Sequence, residues 1–385
     1  MPQALAAGVA SPADLAGLAA AVRAAAERGA VLQVRGAGTW WPVPAETDVL
    51  STSRLDTISD FNPADLVVTA GSGAPLDALA ARLAARGVFL ALDPPGPPSR
   101  TVGGVLASGG AGPLAARYGT ARDQVLGLVV VAGNGTVIRL GGRVVKNVAG
   151  FDLAKLVIGG HGAFGVIAAA HLRLRAVPAT DRTMAWTGSA EWARRAASAV
   201  LASGAAPAAM EVTGPELSAA LGWGESWALA VRSMGGRAAV DEELLGIERA
   251  AEGHRALEAD GDAAWLEWRR LVGGWPAVLR IGADPASWTD AVALAQRHVG
   301  PTLGASIMVP RGTVRIGTEG LDAGAARQLR VAAAARGWPV TLERADAATR
   351  AAVGIWGALP PGAERLAREL RTLFSAGTLA APLFE

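Results

Sequence analysis

Gly141-Gly-Arg-Val-Val-Lys-Asn-Val-Ala-Gly150-Phe-Asp-Leu-Ala-Lys-Leu-Val-Ile-Gly159-Gly-His-Gly-Ala-Phe-Gly165-Val-Ile is the stretch on which the reading of this chain turns. It holds seven glycines. Glycine is costly inside helices and strands, so a cluster of it marks sharp turns at φ > 0 or close approach of the backbone to a second group. A large, flat, anionic ligand such as a dinucleotide is one such group. The competing reading is an alanine-rich chain with ordinary glycine loops. Lysine usage points the same way as the glycines: of 36 basic residues only Lys146 and Lys155 are lysines, and both lie here. A compact ammonium suits these two positions where every other basic position carries a planar guanidinium.

Working outward, Phe164 to Leu174 follows as an apolar strand that ends before Pro178. On the other side Val125–Val131 and Thr136–Leu140 flank Asn134-Gly135, a hairpin signal. Further upstream Asp93-Pro-Pro-Gly-Pro-Pro-Ser-Arg100 is an ordered irregular loop. It leads into Thr101-Val102-Gly103-Gly104-Val-Leu-Ala107, where several N–H donors gather at a helix start that favours phosphate. From Gly96 to Gly165 there are 17 glycines in 70 residues, threaded with Val, Leu and Ala rather than serine. Flexible linkers lack such apolar residues, so this segment is expected to fold around something.

Val31–Val34 reads as a short strand, followed by Arg35-Gly36-Ala37-Gly38-Thr39-Trp40-Trp41-Pro42. Strand then Gly-x-Gly is how a Rossmann fingerprint begins, but Trp41 stands at the third glycine position and Pro42 and Pro44 oppose a helix there. The loop can still offer backbone N–H groups and the Thr39 hydroxyl to a pyrophosphate. The N-terminal helix is expected to be capped by Ser11, with Pro12 at its first position, and to stop at Gly29. Leu66–Ala70 is expected as a strand, and Pro75 to Gly87 as a helix.

Past Pro178 the composition changes. Ten of twelve tryptophans lie beyond it, and strands alternate with amphipathic helices such as Glu191–Leu201 and Ala239–Ala251. Trp265-Leu-Glu-Trp268-Arg-Arg and Trp275-Pro-Ala-Val-Leu-Arg280 place aromatics and arginines in one helix–turn–strand unit. Two readings stay open: core tryptophans with solvated arginines, or Arg280 as a catalytic-site residue clamping a carboxylate.

Composition bounds the rest. At 385 residues two domains are expected. No apolar run reaches the ~18 residues of a membrane span, and no signal peptide is read at the N-terminus. With a net charge of +2 and no dense basic block, nucleic acid is not an expected partner. Cysteine is absent, which excludes disulfides, thiolate catalysis and cysteine-ligated clusters in this chain. Four histidines, widely spaced, give no metal motif.

Taken together the segments resemble the vanillyl-alcohol-oxidase-type, or PCMH-type, FAD-binding family, and more narrowly the E-subunit family of bacterial glycolate oxidases. The resemblance rests on Gly103-Gly104 with Ala107, Gly112-Pro113, Arg122-Asp123 with Leu126-Gly127, the run from Gly142 through Lys146-Asn147 and Gly150 to Asp152, and Gly162-Ala-Phe-Gly165-Val166. It covers residues 30–180 well and the rest thinly. It implies an α+β chain: an FAD-binding domain over 1–178, an α+β cap over 179–345, and a segment over 346–385 returning to the FAD domain. Arg35–Thr39 and Thr101–Gly104 would cradle the FAD pyrophosphate, the segment through Gly112 would run along the flavin, and Gly162–Ile167 would meet the adenine side. Arg122, Asp123, Lys146, Asn147 and Gly150 would complete the cofactor site.

The implied activity is oxidation of a small 2-hydroxy acid, glycolate or D-lactate, in a cytoplasmic complex with a second FAD-binding catalytic subunit and an iron–sulfur subunit, touching the membrane only through partners. A flavin-bearing structural or electron-relay subunit, and an independent FAD-dependent alcohol oxidase, are the alternatives. The FAD is expected to be non-covalent, because cysteine is absent and Arg35–Pro42 holds no histidine. The chain departs from the family at Phe151, at His161 (expected to be structural) and in a C-terminal tail without its Asn. The cap lacks a His-x-Gly-Asp-Gly-Asn motif: His254 and His298 stand 44 residues apart. With no base in evidence, the isolated chain is expected to oxidise glycolate poorly.

Overall fold

The computed structural model describes residues 8–40, 47–142, 152–359 and 361–380. The first lobe is built on two sheets. Val9–Ala10, Asp48–Ser51 and Leu32–Arg35 form a parallel sheet with Asp48–Ser51 in the middle. The helix Leu15–Glu27 crosses between its strands. Its cap is Asp14, not Ser11: the Asp14 carboxylate accepts the Gly17 N–H at 2.7 Å. Asp caps as well as Ser, and a start at Leu15 puts Leu18, Val22 and Ala25 on one buried face.

The second sheet is antiparallel, in the order Ile58–Asn62, Val67–Gly71, Val166–Arg173, Val125–Val131, Val137–Gly141. Its last two strands are the hairpin at Asn134-Gly135, where the Asn134 side chain accepts the Thr136 N–H at 2.9 Å. The helix Val102–Ser108 packs onto Val67–Gly71 and Val166–Arg173. Gly103 makes that approach possible, because a Cβ there would sit 2.5 Å from the Cβ of Ser72.

The second lobe is one eight-stranded antiparallel sheet, ordered His254–Asp260, Thr180–Gly188, Trp227–Gly235, Ala209–Thr213, Gly304–Met308, Thr313–Thr318, Ala277–Gly282, Val340–Arg344. Alternation of side chains along its strands serves two apolar faces. Met184, Trp186, Met210, Val212, Leu229 and Val231 meet the helices Ala190–Ala202, Arg237–Ala251, Trp288–Val299 and Ala323–Ala334. Ala185, Ala209, Ala228 and Ala230 take the opposite side, under Trp223 and Trp265. Trp265, Trp268 and Trp275 are core residues, and the indole N–H groups of the first two donate to Thr183 Oγ1 at 2.8 Å and Ser306 Oγ at 3.1 Å.

Beyond Arg344 the chain forms helices Ala347–Val353 and Pro361–Ser375 and comes back beside Leu32. There the Leu32 N–H donates to Thr378 O at 2.7 Å and the Ala380 N–H to Leu32 O at 2.9 Å. Arginines join the lobes by reaching backbone carbonyls on the other side. Arg315 Nη2 donates to Ala111 O at 2.8 Å, Arg344 Nη2 to Thr39 O at 3.3 Å and Arg117 Nη1 to Met234 O at 3.4 Å. A rigid fork with five donors suits this task better than a lysine ammonium, which accounts for part of the arginine excess. Among the described residues no helix is long and apolar enough to cross a membrane.

Candidate cofactor and substrate site

Three glycine-rich loops enclose a cavity of about 900 Å³. The first leaves the strand Leu32–Arg35. Gly38 sits at φ +69 under the Arg35 guanidinium, and the N–H groups of Ala37, Gly38 and Thr39 donate to nothing among the described residues. The second is the start of the helix Val102–Ser108, capped by Thr101, whose Oγ1 accepts the Gly104 N–H at 3.3 Å. The two loops touch: a Cβ on Gly36 would lie 2.3 Å from Thr101 Oγ1. The third loop, 159–165, is fastened to the end of that helix by Gly159 N–H to Leu106 O and His161 N–H to Ala107 O, both 2.9 Å.

The wall of this cavity includes Arg35, Gly36, Ala37, Gly38, Thr39, Thr101, Gly103, Gly104, Ala107, Gly162, Gly165 and Val166. Five residues expected at the site stand elsewhere. Val102 is buried in the core behind the loop. Gly112 serves packing, since a Cβ there would fall 1.8 Å from Asp93 O. Arg122 forks onto Ile158 O at 3.3 and 3.1 Å, and Asp123 closes a capping box with Thr120. Arg280 lies off the cavity wall and pairs with Glu343, Nε to Oε1 at 2.8 Å. Lys146, Asn147 and Gly150 fall outside the described residues.

The chemistry of this donor set fits an anionic dinucleotide. Backbone N–H groups with no acceptor among the described residues converge at the contact of the first two loops, and Ser72 Oγ is buried at the wall with no hydrogen-bond partner among those residues. Such a hydroxyl is costly to leave unpaired, so it marks a place where a polar ligand atom belongs.

Behind Arg100 and Thr39 of the cavity wall, charge accumulates on the eight-stranded sheet. Glu343 is held by Arg280 and by Arg315, whose Nε lies 2.9 Å from Oε2. Burial would raise the Glu343 carboxyl, but Arg315 and Arg280 outweigh it and keep it below the usual carboxylate range. Arg100 and Arg344 complete the cluster. Arg100 is buried, stacks on Trp40 with its guanidinium carbon 4.2 Å from the ring centroid, and is lowered to about 9 by burial and by Arg344 and Arg315. Nearby Glu211 is pushed up to about 8 by burial, and burial raises Asp93 to about 6. Four guanidinium groups thus face fewer carboxylates than would balance them. Strand pairing assembles this cluster, and sequence reasoning found only Arg280 of it.

His161 also stands on the cavity wall. Its ring lies edge-on to Trp356, centroids 6.0 Å apart. Burial first, then Arg280, lower it to about 4, with Glu343 opposing.

Comparison with known proteins agrees with this geometry. Residues 6–141 match the family model of the FAD binding domain. The glycolate oxidase subunit GlcE of Escherichia coli (strain K12) is 42% identical over 111 residues, 29% of this chain and 32% of that protein. A D-2-hydroxyglutarate dehydrogenase of Xanthomonas citri pv. viticola is 36% identical over 136 residues, 35% of this chain and 29% of that protein. A D-lactate dehydrogenase of Archaeoglobus fulgidus is 32% identical over 170 residues, 43% of this chain and 38% of that protein. The chain spans about a third of the length of these curated relatives. Among solved structures, an alkyldihydroxyacetonephosphate synthase superposes with a TM-score of 0.71 at 17% identity, covering 96% of this chain and 75% of that one. Residues 6–141 are thus an FAD-binding domain, and the cofactor is FAD.

Proposed function

We propose that this chain is the FAD-binding subunit of a glycolate oxidase-like complex that oxidises a small 2-hydroxy acid to the 2-oxo acid, with glycolate or D-lactate as the substrate. The observation that carries the reading is the excess of arginine over carboxylate beside the cofactor cavity. Arg100, Arg280, Arg315 and Arg344 surround Glu343, and a 2-hydroxy acid brings the negative charge that this cluster lacks. Relatives named glycolate oxidase subunits and D-lactate or D-2-hydroxyglutarate dehydrogenases support the substrate class.

The loops 35–39 and 101–104 would hold the pyrophosphate through backbone N–H groups, and Gly104 leaves the room for it. When bound, FAD supplies a hydride acceptor. The protein's own part is to hold the substrate carboxylate, exclude water between the lobes and receive a proton. With no cysteine in the chain, electrons passing through an iron–sulfur cluster do so in a partner. A structural or electron-relay subunit would have the same cavity and would not be reduced by any 2-hydroxy acid. Anaerobic mixing of the FAD-loaded chain with such acids separates the two readings.

The cofactor is bound without a covalent link in this account, since the 36–39 loop offers no nucleophile of the histidine or cysteine kind. Acid precipitation should leave a yellow supernatant over a colourless pellet. Flavin retained in the pellet would refute the assignment.

A further inference from the structure

His161 occupies a position that its loop does not otherwise explain. Its neighbours Gly159, Gly160 and Gly162 are glycines, yet at φ +49 the chain carries an imidazole in the left-handed region. Non-glycine residues are uncommon there, and such outliers gather where a side chain is needed at a particular spot. The N–H of His161 is tied to Ala107 O, so the ring is delivered to the cavity wall from a fixed backbone. Neither ring nitrogen makes a hydrogen bond among the described residues. The charged groups that act on it are Arg280 from the strand Ala277–Gly282 and Glu343 from the strand Val340–Arg344. Trp356 packs on it edge-on without charge, and the helix Val102–Ser108 beneath it carries no titratable side chain.

We propose that His161 is the base that takes the hydroxyl proton of the 2-hydroxy acid. The proposal rests on the functional reading above and supplies the base that the sequence does not reveal. In the step, the Cα–H bond breaks and its electron pair leaves with the hydrogen as hydride to the FAD. The O–H bond breaks, its proton passes to a ring nitrogen of His161, and the C–O bond becomes C=O. One hydride and one proton leave, so the acid is oxidised by two electrons and the flavin is reduced by two.

Electrostatics make the base responsive to its substrate. In the free site burial and Arg280 keep the ring neutral, hence ready to accept. A substrate carboxylate among the arginines offsets Arg280, and the proton affinity of the ring rises when it is required. This makes the chain competent for the reductive half of the reaction, with partners needed for onward electron transfer alone.

The test uses the FAD-loaded chain with His161→Asn, which tolerates left-handed backbone, and His161→Gln as the second variant. Both should keep FAD and lose about 10²- to 10⁴-fold in the rate of flavin reduction. The loss should narrow as pH rises, because hydroxide takes over the proton, whereas the unaltered chain should slow only as pH falls through the substrate-bound pKa of the ring, which lies above the value of about 4 in the free site. A second readout needs no turnover. Titration with oxalate, followed by ring-proton NMR, should raise the pKa of one of the four histidines, and that signal should be missing in His161→Asn. Unimpaired reduction in the variants, loss of FAD from both, or four titrations indifferent to oxalate would each overturn the proposal. If the unaltered chain is reduced by no 2-hydroxy acid, the functional reading falls instead, and this inference with it.

Discussion

Gly104→Val should leave the chain folded and strip it of FAD. Gly104 is exposed at the point where the loops 36–39 and 101–104 meet, and a Cβ added there meets only Thr101 Oγ1, at 3.2 Å. The two valine methyl groups therefore project into the cavity rather than into protein. The helix cost of a β-branched residue is small beside this. Exclusion of a phosphate from two or three charge-assisted bonds costs on the order of 3–5 kcal/mol, a weakening of about 10²- to 10⁴-fold. Reconstitution of the apoprotein with FAD gives the affinity, and the far-ultraviolet circular dichroism gives the fold. Gly112→Val is the contrast: its Cβ would collide with Asp93 O, so it should damage folding and FAD binding together. Normal FAD content in Gly104→Val would mean that the pyrophosphate lies elsewhere.

Glu343→Ala should be the most damaging single change to stability. Glu343 compensates Arg315, which is almost wholly buried, and Arg280, which is about one-third exposed. Removing one partner of a buried pair costs roughly 3–5 kcal/mol, because the remaining charge is left in a poor dielectric. Two arginines lose their partner here, and Arg315 also bonds Ala111 across the lobes, so the lower melting temperature should come with looser lobe contact. Calorimetry measures the first and limited proteolysis the second. The pair has a pH signature. The folded carboxyl is depressed below the ordinary glutamate value of 4.5, so the stability it contributes is present above pH 4.5 and is lost as pH falls through the lower folded value. Glu343→Ala should lack that acid-side loss. A melting temperature within a degree or so of the unaltered chain would contradict the assignment.

The parts of this structure that are local in sequence are legible there. A glycine at φ +69 in a loop after a strand, a Thr101 cap and the Asn134-Gly135 hairpin each depend on residues a few positions apart. Arg122 and Asp123 show the limit of motif reading. Their spacing matches a cofactor pattern, yet Thr120 and Asp123 are also a capping box, and that local bond is where the carboxylate goes. The arginine cluster is not legible, because it forms by pairing distant strands. Arg344 reaches Thr39 across 305 positions, and Arg280 meets Glu343 because Ala277–Gly282 pairs with Val340–Arg344. His161 reads as structural for a similar reason. Its left-handed backbone, and ring nitrogens without a hydrogen bond among the described residues, become visible only once the third loop is fastened to the end of the helix Val102–Ser108.

In the proposed function a 2-hydroxy acid delivers its hydride to FAD held by this chain. The direct measurement is anaerobic mixing of the purified, FAD-loaded single chain with glycolate, D-lactate, L-lactate and D-2-hydroxyglutarate, following the visible flavin absorbance. Bleaching by at least one of these acids is expected with no partner present, and none by the corresponding simple alcohols. A flavin that stays oxidised with every acid, while dithionite reduces it fully, would overturn the assignment and leave the chain a flavin-bearing scaffold.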